Sequence, residues 1–371
     1  MQLRIEKHNL LDGVQRVQNV VDKKNTIPVL SNILVEPSAQ NNTVKLVATN
    51  LEVGMSTNLP VSETTEGSIT VPAQKLFEIL RELPEATVTL TVDEKNWITI
   101  ECLKASFKIA GLPKADFPEL PTLPSQDIVM LPQSVLREMI AKTSFAVSHD
   151  ESRYALTGVL FSINNQELSM VATDGHRLAV IKRSYQLELS GEEAKEVIIP
   201  LKAITEVKKL CEGDGGSMSI NLGENQIAFR KDGTMLVSRL IEAQFPDYRQ
   251  VIPSESRLSV LADREEFSRA LRRVALLCSE TRLVKLNLSP GQLTMTASDP
   301  NMGEAQEVVP IDYAGDSLMV GFNARYIMDF LGVVTGSQVQ IGLNDALSPG
   351  LFSCNGEEDA GFSCVIMPMR V

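Results

Sequence analysis

The chain opens on a strict alternation of apolar and polar positions. Over Leu3 to Glu6 apolar and polar residues alternate, after which Leu10, Val14, Val17 and Val21 recur three or four apart. The first pattern predicts a strand over 3–7 and the second a helix over 9–21, because period two lines one face of a sheet and a period near 3.6 lines one stripe of a helix. The same switch returns twice, with helical spacing at Val135, Met139 and Ile140 and at Phe267, Leu271 and Val274. Alternating runs follow, ILVEP (33–37), VKLVAT (44–49), VLFSI (159–163) and LSMVAT (168–173), broken by Asn-Asn and Pro-Gly turn signals. A second helical pattern is expected at about 73–82, 201–211 and 323–333, and then further strands, including TVTLTVD with WITIEC and MSINL with QIAFR. Two helices and about eight strands, repeated with short connections, predict an α+β fold in which helices cover one face of antiparallel sheet.

The repetition is also visible in the residues. ATNLEVGMS, ATDGHRLAV and ASDPNMGEA begin at 48, 172 and 297, and each carries a small residue, a hydroxyl and an Asn or Asp. TVPAQKLFEIL, IIPLKAITEVKKL and VGFNARYIMDFL keep the same order, and ADFPELP, AQFPDYRQVIP and CVIMPMRV close the three copies. Units of roughly 120 residues are longer than the roughly 20–50 residues of solenoid repeats, so each is long enough for a core of its own. Three domains are expected, at 1–125, 126–252 and 253–371, divided at PTLPSQD (121–127) and PSES (253–256).

Charge changes this picture only in its distribution. The formal net charge is −12, which alone argues against a phosphate-binding partner. The candidate helices nevertheless collect cations: Arg16, Lys23, Lys24, Lys75, Arg81, Arg137, Lys142, Lys202, Lys208, Lys209, Arg264, Arg269, Arg272 and Arg273. Acid gathers in loops such as SETTEGS, SGEEAKE and NGEEDAG. Two readings stay open, ordinary solvated helix faces or one basic surface built of helices. The five cysteines form no Cys-x-x-Cys pair and no even framework, and no run approaches the ~18 apolar residues of a membrane span. A soluble cytoplasmic protein is expected, without a membrane partner.

Candidate chemistry is sparse. The chain holds no Walker loop, no Gly-x-Gly-x-x-Gly, no His-Glu-x-x-His and no Gly-x-Ser-x-Gly. Only His8, His149 and His176 are present, which excludes a histidine-rich metal site, and no metal or cofactor is expected. Asp174 and His176 are the best pair for a hydrolase, with the carboxylate orienting the imidazole as a base. A tight turn is the alternative, since Thr173, Asp174 and Gly175 have the turn-forming residue types.

At TDGHRLAV, FPDYR and the terminal MPMRV the sequence resembles the bacterial DNA polymerase III β subunits, the sliding clamps, and the likeness extends over the whole chain. The resemblance implies three clamp-fold domains and a head-to-tail homodimer closed into a ring, with helices lining the hole and duplex DNA threaded through it. It implies no catalytic residue. The partners it implies are double-stranded DNA held without sequence preference, the polymerase III α subunit, the clamp loader, and other polymerases, mismatch-repair proteins or ligases that carry clamp-binding peptides. It reconciles acid with DNA, because a ring holds DNA by topology and needs only weak attraction from its inner helices.

The resemblance further implies an apolar peptide pocket between the second and third copies. Its residues here would be Leu156, Thr173, Gly175, His176, Arg177, Leu178, Pro246 and Val251, joined by Asn323, Tyr326, Leu347, Val365, Met367, Pro368, Met369 and Arg370. Flexible Met and aliphatic walls suit a Leu or Phe anchor, and a few polar groups would hold the peptide backbone. The sequence departs from the family pattern at Gln250, Pro349 and Val371, which puts peptide preference in question. For DNA the matching positions are Lys24, Asp150 and Tyr154, with Asp150 and Ala155 replacing a Gln and a Tyr of the family. Ring closure would join the edge strand ASFKIAG, through Phe107 and Ile109, to Leu276 and Leu277 of the partner copy. A monomeric repeat scaffold that binds only proteins is the remaining alternative, and it leaves the cationic helices and the outward apolar strand without a reason.

Overall fold

The computed structural model describes the whole chain except residues 22–26, 122–127, 187–193 and 214. Lys24 and most of the 121–127 segment therefore lie outside the described residues. Six α-helices are present among the described residues: α1 (Lys7–Gln18), α2 (Ala73–Glu82), α3 (Gln133–Thr143), α4 (Leu201–Leu210), α5 (Arg264–Val274) and α6 (Ala324–Leu331). They stand where the two helical patterns of each repeat predict them, although α1 stops at Gln18, short of Val21, and α6 stops at Leu331 before Gly332. None is long and apolar enough to cross a membrane.

Local chemistry fixes the helix ends. Asp263 accepts the Glu266 amide at 2.8 Å to cap α5, with Glu265 and Glu266 in its first turn and Arg272 and Arg273 in its last, as the helix dipole favours. Asn323 caps α6 by accepting the Arg325 amide at 3.0 Å. In α1 the buried stripe is Leu10, Gly13, Val14 and Val17. A β-carbon at Gly13 would fall 2.5 Å from Leu59 Cδ1, so glycine, costly by about 1 kcal/mol in a helix interior, lets α1 approach its sheet closely.

The chain divides into two compact units, Met1–Ser134 with Lys202–Leu240, and Val135–Leu201 with Ile241–Val371. The central repeat contributes to both, because its strands continue the sheets of its neighbours in sequence. In the first unit, strand Thr234–Arg239 pairs antiparallel with Val53–Pro60 inside an eight-stranded sheet, and a five-stranded sheet carries Ala105–Ala110 as an edge strand. In the second unit, Arg177–Ser184 pairs antiparallel with Phe362–Ile366 inside a twelve-stranded sheet.

The second unit also contains a buried ion cluster. Lys142, one of the cations read from the helix pattern, is not a solvated charge: its side chain is 3 % exposed, with Nζ 2.7 Å from Glu138 Oε1 and 2.8 Å from Asp359 Oδ1. Asp359 Oδ2 in turn accepts the amides of Thr335 at 2.9 Å and Gly336 at 2.7 Å. Burial alone would push the Asp359 carboxyl up, but Lys142 and those amides more than offset it and hold it below the usual carboxylate range.

Candidate peptide pocket and cationic helix faces

The turn 173–177 is built by its own polar atoms. Thr173 Oγ1 donates to the Arg177 carbonyl at 2.6 Å and accepts the Gly175 amide at 3.0 Å. Asp174 Oδ1 accepts the amides of His176 and Arg177 at 2.9 and 3.0 Å. Gly175 has φ of 85°, a conformation that glycine adopts without steric cost. The Asp174 carboxylate is thus committed to the backbone and to Arg177 Nε at 3.1 Å, while the His176 side chain is exposed. The turn reading holds, and the hydrolase reading loses its orienting carboxylate.

Behind this turn lies an apolar cluster of Leu160, Val171, Leu178, Val180, Ile198, Ile241, Tyr248 and Val365, with Phe245, Val251 and Ile252 packed on it. Above the cluster opens a cavity of about 200 Å³ within the second unit. Leu156, Thr173, Gly175, Arg177 and Leu178 form one side, Pro246 and Val251 another, and Val365 and Met367 come from the C-terminal strand and the residues after it. Tyr248 and Asp247 also line it and were not anticipated. Their signal lies inside the FPDYR motif: Asp247 accepts the Arg249 amide at 3.3 Å and turns the chain, which leaves Tyr248 buried edge-on to Phe245.

Arg177 is the charged centre of the wall. Its side chain is 8 % exposed, and its guanidinium bonds Asp174, Asp329 and the Phe145 carbonyl. It also faces the rings of Tyr326 at 4.4 Å and Phe145 at 5.2 Å. Tyr326 therefore acts behind Arg177 and not in the cavity wall, and burial, with a smaller contribution from Asp174, pushes its hydroxyl above the usual phenol range. Asp329 was missed by sequence reasoning, since nothing local marks an acid on α6 as the partner of a residue 152 positions away.

The other candidate pocket residues do not line this cavity. His176 and Arg370 are exposed, and Pro368 is half-buried. Asn323 is spent on its cap, and the Met369 amide donates to the Gly321 carbonyl at 2.8 Å. Leu347 is 77 % exposed at a turn whose Asp345 carboxylate accepts the amides of Leu347 and Ser348, both at 2.8 Å.

Of the DNA candidates, Tyr154 is exposed, and Asp150 caps its own turn by accepting the Ser152 hydroxyl at 2.7 Å and amide at 3.0 Å. The hydroxyl bond, with the amide, holds the Asp150 carboxyl below its usual range. Many helix cations are already matched: Lys75 with Glu78, Lys209 with Glu206, Arg269 with Glu265, and Arg273 with both oxygens of Glu307. Among the described residues, Arg16, Arg137, Lys208 and Arg272 have no carboxylate within ion-pair reach. On the edge strand Phe107 is exposed and Ile109 half-buried, and past α5 Leu276 is exposed and Leu277 half-buried, so none of the four is core.

Comparison with known proteins places this architecture in a family. Residues 1–121, 130–247 and 249–370 match the family models of the DNA polymerase III beta subunit N-terminal, central and C-terminal domains. A beta sliding clamp from Pseudomonas putida is 37 % identical over 374 residues, covering all of both chains. A crystal structure of a sliding clamp from Pseudomonas aeruginosa bound to griselimycin superposes with a TM-score of 0.93 at 34 % identity, covering all of both chains. The clamp from Bacillus subtilis gives 0.93 at 30 % identity, covering 100 % of this chain and 99 % of that one. The three repeats, the strand pairing that links them and these full-length likenesses agree that the chain belongs to the DNA polymerase III β subunits, the bacterial sliding clamps.

Proposed function

We propose that two copies of this chain close head to tail into a ring around duplex DNA, and that the cavity above Leu178 takes the short peptide by which polymerases and other users are tethered. As a sliding clamp the chain is a processivity factor and not an enzyme, with DNA and polymerase as its partners. The observation that carries the peptide reading is the cavity itself: apolar walls from three separate segments, with one nearly buried guanidinium fixed among them. Such a site suits an apolar anchor side chain and one or two backbone carbonyls. The same reading takes the polymerase III α subunit, the clamp loader, and further polymerases, mismatch-repair proteins or ligases as users of this cavity, in the cytoplasm. Domain limits of 1–125, 126–252 and 253–371 belong to this reading. So do Lys24, Asp150 and Tyr154 as DNA contacts, and Phe107, Ile109, Leu276 and Leu277 as the ring joint.

The cations on four helices that have no carboxylate in reach among the described residues support a weak, water-screened attraction to phosphate in place of tight contacts that would brake sliding. The test is retention on nicked circular DNA after loading with clamp loader and ATP, followed by linearisation. Release on cutting the circle is the expected result. Retention on linear DNA with a steep salt dependence would mean ordinary phosphate binding, and the ring would fall.

A further inference from the structure

We propose that the first compact unit carries a second peptide pocket, formed by the turn 49–53 and the segment 118–121, that takes an extended peptide with an apolar anchor flanked by Lys or Arg. The turn repeats the construction of 173–177 atom for atom. Thr49 Oγ1 donates to the Val53 carbonyl at 3.1 Å and accepts the Leu51 amide at 3.0 Å. Asn50 Oδ1 accepts the amides of Glu52 and Val53 at 3.2 and 2.8 Å. The strand pairing repeats as well: Gly54 stands opposite Val237 as Leu178 stands opposite Val365. The Arg239 amide donates to the Glu52 carbonyl at 2.8 Å, as that of Met367 does to His176 at 2.9 Å. Phe117 and Leu120 then occupy the places of Phe245 and Tyr248, each pair packed on an apolar cluster. A cavity of about 290 Å³ opens above them, with Thr49, Leu51, Pro118, Leu120 and Val237 among its walls.

Two differences from the other pocket say what it would hold. The first is Leu51, which occupies the place of Gly175 and keeps its left-handed backbone, at φ of 77°. A branched residue there is strained, and this one also leaves its side chain 48 % exposed at the cavity. Folding alone favours glycine at that position, so the strained leucine points to a role in contact with an apolar guest. The second is charge. Glu52 and Glu119 are exposed on the rim, with no cation within ion-pair distance among the described residues, against one cation in the lining, Arg239; Lys114, which acts on Glu119 from further off, is itself paired with Glu36. The other pocket has one cation, Arg177, and one carboxylate, Asp247, in its lining. Two carboxylates against one guanidinium leave the rim negative, complementary to a basic peptide. Gly54 lets Leu120 settle onto the sheet as the floor, since a β-carbon there would fall 2.3 Å from Leu120 Cδ2.

The peptide class rests on the reading of the Leu178 cavity given above, and the two are separable by experiment. The probe is fluorescein-labelled Arg-Leu-Leu-Arg-amide, with Glu-Leu-Leu-Glu-amide and Arg-Gly-Gly-Arg-amide as controls, read by fluorescence anisotropy against the full chain. The expected result is at least fivefold tighter binding of the first than of either control. Leu51→Gly should weaken it at least fivefold while leaving the thermal midpoint unchanged or raised, because the strain is relieved; a merely structural leucine would not produce that pair of effects. The surface double variant Glu52→Lys/Glu119→Lys should reverse the charge preference. Met367→Ala, in the other pocket, should leave this probe unaffected. Binding insensitive to both Leu51→Gly and the charge reversal overturns the proposal. Loss of binding in Met367→Ala alone would assign the probe to the Leu178 cavity, sinking this inference and leaving the first reading intact.

Discussion

Arg177 Nη1 lies 2.6 Å from Asp329 Oδ2, and this ion pair ties the turn 173–177 to α6. The same guanidinium reaches Asp174 through Nε at 3.1 Å, so its planar fork is held by two carboxylates while Tyr326 faces it at 4.4 Å. Lysine could supply the charge but not the fork or the stacking plane. Asp329→Asn is therefore expected to keep the fold and to weaken a partner-derived clamp-binding peptide about tenfold, or about 1.4 kcal/mol, by loosening the wall that Arg177 forms. Arg177→Lys should cost at least as much. Isothermal titration calorimetry with both variants measures this, and unchanged affinity in both would show that the pocket does not depend on the fork.

What the sequence revealed and what it hid divide along the range of the interactions. The helices at Leu10, Val14 and Val17 and at Phe267, Leu271 and Val274 were legible because burial of one stripe imposes a local period. The turn at Thr173 and Asp174 was legible for the same reason, since its bonds span four residues at most. The cavity walls from Leu156 to Met367 were placed by resemblance, whereas Asp329 was invisible because its partner is remote in sequence. Lys142 was misread for the same reason: on the helix, four residues from Glu138, it looks like a surface charge, and the buried carboxylate it also pairs with, Asp359, comes from the far end of the chain.

Lys142 gives the second prediction. Removing it leaves Asp359 buried without its cation, a loss expected to cost about 3–5 kcal/mol. Lys142→Met should accordingly lower the first calorimetric unfolding transition at pH 7. The pH dependence has a definite sign. In the parent, the depressed Asp359 carboxyl contributes stability that is present above the unfolded carboxylate range, about 3.9, and is lost as pH falls through its lower folded value. In the variant, burial is no longer offset by Lys142, and protonation relieves the penalty. The gap between variant and parent should therefore narrow from pH 7 toward pH 4; a gap that is constant or widens would mean that Asp359 is not the group left uncompensated.

Leu276 is 78 % exposed and Phe107 39 %, and neither is covered within the chain. An apolar edge strand left bare invites association, and a partner copy is the covering that ring closure would supply. Leu276→Asp/Leu277→Asp should yield a folded monomer with unchanged circular dichroism. Size-exclusion chromatography with light scattering decides it: a dimer that persists at nanomolar concentration would remove this surface from the joint.

Neighbouring arginines on α5 separate the two readings of the helix cations. Arg273 lies 2.6 and 3.1 Å from the two oxygens of Glu307, and these bonds hold the Glu307 carboxyl below its usual range. Arg272 is exposed, with no carboxylate in reach among the described residues. A cation already neutralised by a bidentate carboxylate has little field left for phosphate, whereas a free one releases a counterion when DNA approaches. Removing one such cation from a phosphate should reduce the slope of log K against log salt by about 0.9 for duplex DNA. Arg272→Ala is expected to show that reduction for linear duplex binding, and Arg273→Ala a markedly smaller one. Equal slopes for both variants and the parent would mean that these helices meet only solvent, and the attraction to DNA would have to come from elsewhere on the chain.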